Sequence, residues 1–295
     1  MMSLNRKQFL LSLGLTTAAS STARSGPKVL LVVAHPDDEY FFAASVYRIT
    51  RELNGIVDQV VITNGEAGYR YSSLAENYYN AHLTDEAIGR ARLPEIRQRE
   101  TLAAGRVLGI RHHHFLNQRD SKFTLDPEDA FRLWNTEAST HWIANLMERE
   151  RYDFVFGILP TADTHGHHQA ATLIALNAAA RVRQTARPIV IGADPARASE
   201  PVRPYSALAG HANTNPWDGA PVYRFSRASR FGFNKSLSYQ IVVNWMIAEH
   251  KSQGLFQTEC NRLDEERFWL FAQNPPEAKA KARQLFESLQ PGLIA

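Results

Sequence analysis

Two apolar runs, each leading into a cluster of metal-ligating residue types, constrain this chain most. Val29-Leu30-Leu31-Val32-Val33-Ala34 runs straight into His35-Pro36-Asp37-Asp38-Glu39. Phe154-Val155-Phe156-Gly157-Ile158-Leu159 is followed shortly by His165-Gly166-His167-His168. A continuous apolar run of this length suits a strand buried on both faces of a parallel sheet. In open α/β sheets the carboxyl ends of the strands are where sites are built, so both clusters are expected on one edge.

The alternation continues along the chain. Further strands are expected at 59–63, 113–116 and 189–191. A helix capped by Asp37 or Asp38 should carry Phe41, Ala44, Val46 and Ile49 and close at Gly55. Other helices are expected at 94–108 (ended by Gly109), 127–149, 169–181 and 236–253. Segment 69–84, rich in Tyr and Asn, reads as an inserted loop or short helix. Segment 201–233 reads as loop and antiparallel strand covering the site, and 254–295 as charged helix packed on the outside. The expected fold is α/β: a Rossmann-like, mostly parallel sheet flanked by helices, with a small C-terminal antiparallel or helical extension. The glycine-rich dinucleotide fingerprint is missing after the first strand, so a dehydrogenase analogy carries no weight.

Charge and cysteine content narrow the chemistry. The formal net charge of the 295 residues is +3, and no long Lys/Arg block supports a nucleic-acid partner. The single cysteine, Cys260, excludes an internal disulfide framework and a Cys-rich metal site. That leaves His, Asp and Glu as ligands. At the N-terminus, Asn5-Arg6-Lys7 precedes a short apolar stretch, 9–19, and small residues through Ser21-Thr22-Ala23. This pattern predicts a cleaved signal peptide over 1–25 and a periplasmic or secreted protein. The Asn-Arg-Lys-Gln-Phe-Leu order weakly resembles a twin-arginine signal. No later segment is apolar enough to span a membrane.

A hydrolytic zinc takes about three protein ligands and keeps one position open. His35 and Asp38, three apart across a turn containing Pro36, can face one site while Asp37 points elsewhere; His168 completes a His/Asp/His set from the other strand end. His165 can reach the same cavity without binding the metal. His167 stays open between a supporting contact, an exposed position and an alternative ligand. His112-His113-His114 sits at the start of a strand, on the opposite edge, and reads as structural or surface. Tyr69, Tyr71, Tyr78 and Tyr79 suit either a sugar-stacking surface or a packed loop. Trp217 and Trp245 read as packing residues.

These residues resemble the PIG-L or LmbE-like family of zinc-dependent N-acetylglucosaminyl deacetylases. Ala34-His35-Pro36-Asp37-Asp38-Glu39 after an apolar strand carries most of the resemblance. Thr63-Asn64-Gly65-Glu66, Arg97-Gln98-Arg99-Glu100, Asp120, the segment Asp163 to His168, and His250-Lys251-Ser252-Gln253 add to it. It spans about residues 28–255, leaving 256–295 as an extension of the same domain. The resemblance implies His35, Asp38 and His168 as zinc ligands, Asp37 as general base, and His165 as the group that stabilises or protonates the tetrahedral intermediate. It places Arg97 and Asp120 at the substrate. Where the family often has Asp, this chain has His167.

The resulting expectation is a zinc-dependent hydrolase, with Fe2+ a possible alternative ion. It would act on a small-molecule or oligosaccharide amide and remove the acetyl group of an N-acetylglucosamine-type conjugate. The walls at 66–84 and 205–235 would set acyl size. The rival readings are a zinc amidase for a larger N-acyl or thiol-conjugate amide, and a catalytically silent exported sugar-binding protein.

Overall fold

The computed structural model describes residues 26–290; the signal-like segment 1–25 lies outside the described residues. The chain runs β1 (Lys28–Val33), α1 (Ala43–Arg51), β2 (Ile56–Thr63), α2 (Glu76–Tyr79), α3 (Glu86–Leu108), β3 (His112–Gln118), α4 (Pro127–Phe131), α5 (Thr136–Glu150), β4 (Phe154–Ile158), α6 (Gly166–Arg181) and β5 (Ile189–Ala196). It continues through β6 (Tyr223–Ser226), β7 (Arg230–Phe231), β8 (Leu237–Ser238), α7 (Tyr239–Glu249), β9 (Glu265–Leu270) and α8 (Ala278–Leu289). The main sheet has the order β3-β2-β1-β4-β5-β9-β6, and β7 pairs only with β8. β3, β2, β1, β4 and β5 are parallel, and β9 joins β5 antiparallel.

β1 shows why the sheet is covered on both faces. Val29, Leu31 and Val33 belong to one core; Leu30, Val32 and Ala34 belong to the other, and all six are fully buried. The first core is closed by Val46 and Ile49 of α1, Leu108 of α3, Val243 and Met246 of α7, and Leu285 of α8. The second is closed by Ile143 and Met147 of α5 and Ala171, Ile174 and Ala175 of α6. Strand order reverses between β2 and β4 around β1, so the carboxyl ends of β1 and β4 flank a crevice. Both His clusters emerge there.

The expected α/β fold holds, with several local differences. The turn after β1 continues as a 3-10 helix, Asp38–Phe42, before α1 begins. Asp37 precedes it at φ 116° and makes no side-chain cap. α3 starts eight residues ahead of Pro94, capped by Asp85, whose carboxylate accepts from the Ile88 N–H at 3.0 Å. The single helix expected at 127–149 is two, α4 and α5, separated by a turn at Trp134. Segment 66–79 forms short 3-10 turns and the single-turn α2.

The largest correction lies in 254–295, expected as outer helix. β9 is a wholly buried strand between β5 and β6. Glu266 accepts from the Ala44 and Ser45 N–H groups at 2.8 and 3.0 Å and pairs with buried Arg227 at 3.1 Å. Its carboxylate sits at the N-terminus of α1, where the helix dipole favours a negative charge. Trp217 packs against the first core, as read from sequence. Trp245 instead stands exposed on α7.

Candidate active site

Backbone geometry at the end of β1 sorts the two adjacent aspartates. One oxygen of Asp38 turns back to accept from the Ala34 and His35 N–H groups, at 3.0 and 2.8 Å. Its other oxygen is 3.1 Å from His168 Nε2. The positive φ at Asp37 sends that side chain elsewhere, to Arg97 Nη2 at 2.9 Å. A non-glycine residue held there stores strain of roughly 1–3 kcal/mol.

At the end of β4 the chain enters α6 through His165. His165 Nδ1 accepts from the His167 N–H at 2.9 Å, capping the helix. That bond fixes the neutral tautomer and leaves Nε2 as the proton-bearing atom. Burial, then the neighbouring His35, His168 and His167, lower its pKa to about 2. His168, one helical step on, faces His35.

The three residues expected as ligands meet. His35 Nδ1 is 3.1 Å from His168 Nε2 and 3.6 Å from Asp38 Oδ2. Donor atoms bound to tetrahedral zinc at about 2.0–2.1 Å lie about 3.3 Å from one another. Two imidazoles and a carboxylate converging at this spacing therefore fit such an ion. Burial works against the ionised Asp38, but His168 and His35 outweigh it and hold its pKa well below the usual range.

His35 faces a second group through its other nitrogen. Nε2 lies 3.2 Å from His167 Nδ1 and 3.9 Å from Asp120 Oδ1. His35, His165 and His167 form another set within metal-ligating reach. In that set His165 Nδ1 is already engaged by backbone and no carboxylate contributes, so the Asp38 set is the better cation site. His167 is fully buried, which removes the exposed reading. Its Nδ1 faces both His35 Nε2 and Asp120 Oδ1, the latter at 3.4 Å, and bonds one of them at a time. Burial raises the Asp120 pKa, but His167, His35 and Arg97 outweigh it and lower it overall. A carboxylate orienting a ligating imidazole is a frequent support for metal sites.

Arg97, buried on α3, donates to the Gly65 carbonyl at 2.6 Å, to the Pro36 carbonyl, and to Asp37. Gly65, at φ 68°, lies so close that a Cβ there would sit 2.4 Å from Arg97 Nη1. Burial first, and then the charge of Asp38, push the Asp37 pKa up to about 6, against the pull of Arg97.

His35, Asp37, Asp38, Arg97, Asp120, His165 and His168 all line one cavity of about 460 Å³. Its remaining walls are largely apolar: Tyr40, Phe41, Tyr69, Tyr71, Phe123, Phe256 and Leu263 contribute. Phe123 meets the His165 ring edge-on at 5.0 Å between centroids. Residues 67–71 form part of the wall as expected, but 205–235 do not; Gln253, Phe256, Glu259 and Leu263 stand there instead. Of the four tyrosines considered, Tyr69 and Tyr71 reach the cavity, and Tyr79 donates to Glu100 at 2.7 Å. Sequence reasoning missed Phe41, Phe123 and Phe256, which carry no motif. The three histidines at the start of β3 lie on the opposite edge, as expected.

A mostly parallel sheet that brings His35, Asp38 and His168 together at the β1 and β4 ends defines an α/β protein with a candidate metal site. Residues 30–179 match the family model described as PIG-L, GlcNAc-PI de-N-acetylase, and the chain belongs to that family. Among curated protein sequences none matches it. Among solved structures it resembles the hydratase GalB from Pseudomonas putida, a 4-carboxy-2-hydroxymuconate hydratase. The identity is 14%, covering 84% of this chain and 97% of that one, with a TM-score of 0.51. It also resembles N,N'-diacetylchitobiose deacetylase from Pyrococcus horikoshii (15% identity, 91% and 93% covered, TM-score 0.49). A deacetylase of teicoplanin biosynthesis in complex with teicoplanin is similar too (14%, 83% and 99%, 0.49). At such identities the likeness concerns the fold, and a hydratase shares it, so the reaction must be argued from the site.

Proposed function

We propose that this chain is a metal-dependent amide hydrolase that removes the N-acetyl group from an N-acetylglucosamine-type sugar conjugate. The observation that carries the reading is Asp37. A carboxylate held by Arg97 opens into the same cavity as the His35, Asp38 and His168 donor set. Family membership supports it.

His35, Asp38 and His168 would hold the ion, zinc in the first instance or iron. When bound, such an ion polarises a carbonyl and brings the pKa of water towards about 7. Asp37 takes a proton from the attacking water as the O–C bond forms, and returns it to nitrogen as the C–N bond breaks. Acetate and a free amine leave. Its raised pKa suits both halves of that task. His165 is the neutral donor: its Nε2–H stabilises the oxygen on which negative charge develops. Arg97 is a positioning residue that keeps Asp37 aimed and favours its ionised form. Asp120, with its carboxylate 3.9 Å from His35 Nε2, steadies the ligand ring electrostatically. Phe41 and Phe123 narrow access of bulk water.

The apolar walls from Tyr40, Phe41, Phe256 and Leu263 favour a second reading, an amidase accepting a larger acyl group. Asp37 argues against a silent sugar binder, because binding alone needs no base. Export follows from the signal-like 1–25 and belongs to the proposal; the mass of the protein recovered from its producing cell, with or without cleavage after Ala23, checks it. The activity test is acetate release from a panel of N-acetylglucosamine conjugates, using metal-stripped protein reloaded with zinc. Zinc-dependent acetate supports the reading. Release of longer acids but no acetate would favour the amidase, and no acid from any amide would refute both.

A further inference from the structure

β5 is buried from Ile189 to Ala193, and then Asp194 breaks out to solvent before Pro195 turns inward again. It sits at the carboxyl end of its strand, next to β4, on the edge that holds the candidate metal ligands. Its register partner in β9 is Arg267. The guanidinium of Arg267 is spent elsewhere, on Glu265 at 2.7 Å and on the Arg197 and Glu200 carbonyls at 2.8 and 2.7 Å. The Asp194 carboxylate accepts no hydrogen bond from a described residue.

Asp194 and Pro195 line the cavity described above, and they also line a second one of about 490 Å³. Each volume falls within the range of a complete small-molecule site, about 300–1,000 Å³. The two differ in character. The second holds Asp163, Glu200 and Arg203 beside the rings of Tyr205 and Trp269. Carboxylates that accept from hydroxyls suit a polyhydroxylated ring.

We propose that the two cavities form one binding groove, and that the substrate is a sugar chain of at least two units. The unit bearing the amide lies in the first cavity, its neighbour lies in the second, and Asp194 accepts a hydroxyl hydrogen at the junction. This inference deepens the deacetylase reading and rests on it for the chemistry.

The test compares N-acetylglucosamine with N,N'-diacetylchitobiose on zinc-loaded protein, by acetate release and, separately, by calorimetric binding. In the native chain the disaccharide is favoured in kcat/KM and in affinity. Asp194→Ala cuts that preference by about tenfold or more, the worth of a hydrogen bond to a charged acceptor. Ala207→Phe, which fills the second cavity without touching the first, cuts it as well. Deacetylation of both sugars with no preference for length, or a preference that neither variant reduces, overturns the groove while leaving the activity intact. Absence of acetate with a length-dependent affinity that both variants weaken supports the groove and overturns the activity. Absence of both overturns both.

Discussion

His250 Nε2 lies 2.6 Å from Glu39 Oε1, and both side chains are fully buried. Glu39 directly follows the two aspartates of the candidate site. Gln59 Nε2 donates to its other oxygen at 3.2 Å. The pair therefore anchors the far end of the turn that separates Asp37 from Asp38, linking that turn to the end of α7. The same stretch holds Ser252, whose N–H and hydroxyl donate to Glu100 at 2.7 and 2.6 Å on α3.

Removing one partner of this pair should be costly. Glu39→Ala strands a buried imidazole, and the expected loss is about 3–5 kcal/mol of unfolding free energy, read by urea denaturation. The pH window has a definite sign. Burial opposes both charges but each partner outweighs it, so the Glu39 pKa is lowered and the His250 pKa raised. The Glu39 contribution is present above its ordinary value of 4.5 and fades as pH falls through its folded value. The His250 contribution is present below 6.5 and fades as pH rises through its folded value. The pair stabilises most between those two values, and a flat difference between native and variant across pH 3–9 would contradict it.

Asp37→Asn preserves size and leaves the three ligand side chains in place. Loss of a general base should lower kcat by about 10²–10⁴, with zinc content unchanged. Full activity in the variant would remove Asp37 from the proposed chemistry.

The Asp37 pKa of about 6 sets an acid limb. Activity should fall as pH drops through the region at or below that value, because the base must be ionised. Arg97→Gln deletes a cation bonded to Asp37, so the limb should move to higher pH. A limb that stays put would mean another group titrates.

Glu266→Ala leaves Arg227 buried and unpaired and frees two backbone donors at the start of α1. A loss of about 3–5 kcal/mol is expected, and a midpoint within error of the native chain would show that water or a neighbour replaces the carboxylate.

The sequence was most legible where one physical signal dominated. The apolar runs before His35 and His165 marked β1 and β4 because strands covered on both faces tolerate little else. The spacing of His35 and Asp38, with His168 from the second cluster, anticipated residues that the fold brings within metal-ligating distance. Glu265-Glu266-Arg267 misled because three charged residues read as solvent-exposed, whereas their partners, Arg227, α1 and the 197–200 carbonyls, are distant in sequence. The start of α3 was hidden by Pro94, which sits in the third turn of a helix that begins well capped at Asp85. The apolar cavity walls were unreadable because Phe41, Phe123 and Phe256 come from three separate segments and meet only in space.

The most direct measurement is the metal content of the purified protein beside that of Asp38→Ala and His168→Ala, by elemental mass spectrometry after dialysis against trace zinc. The account predicts one ion per chain in the native protein and loss of most of it in both variants, with the variants still folded by circular dichroism. A native chain that binds no ion, or variants that bind it as well as the native chain does, would contradict the site.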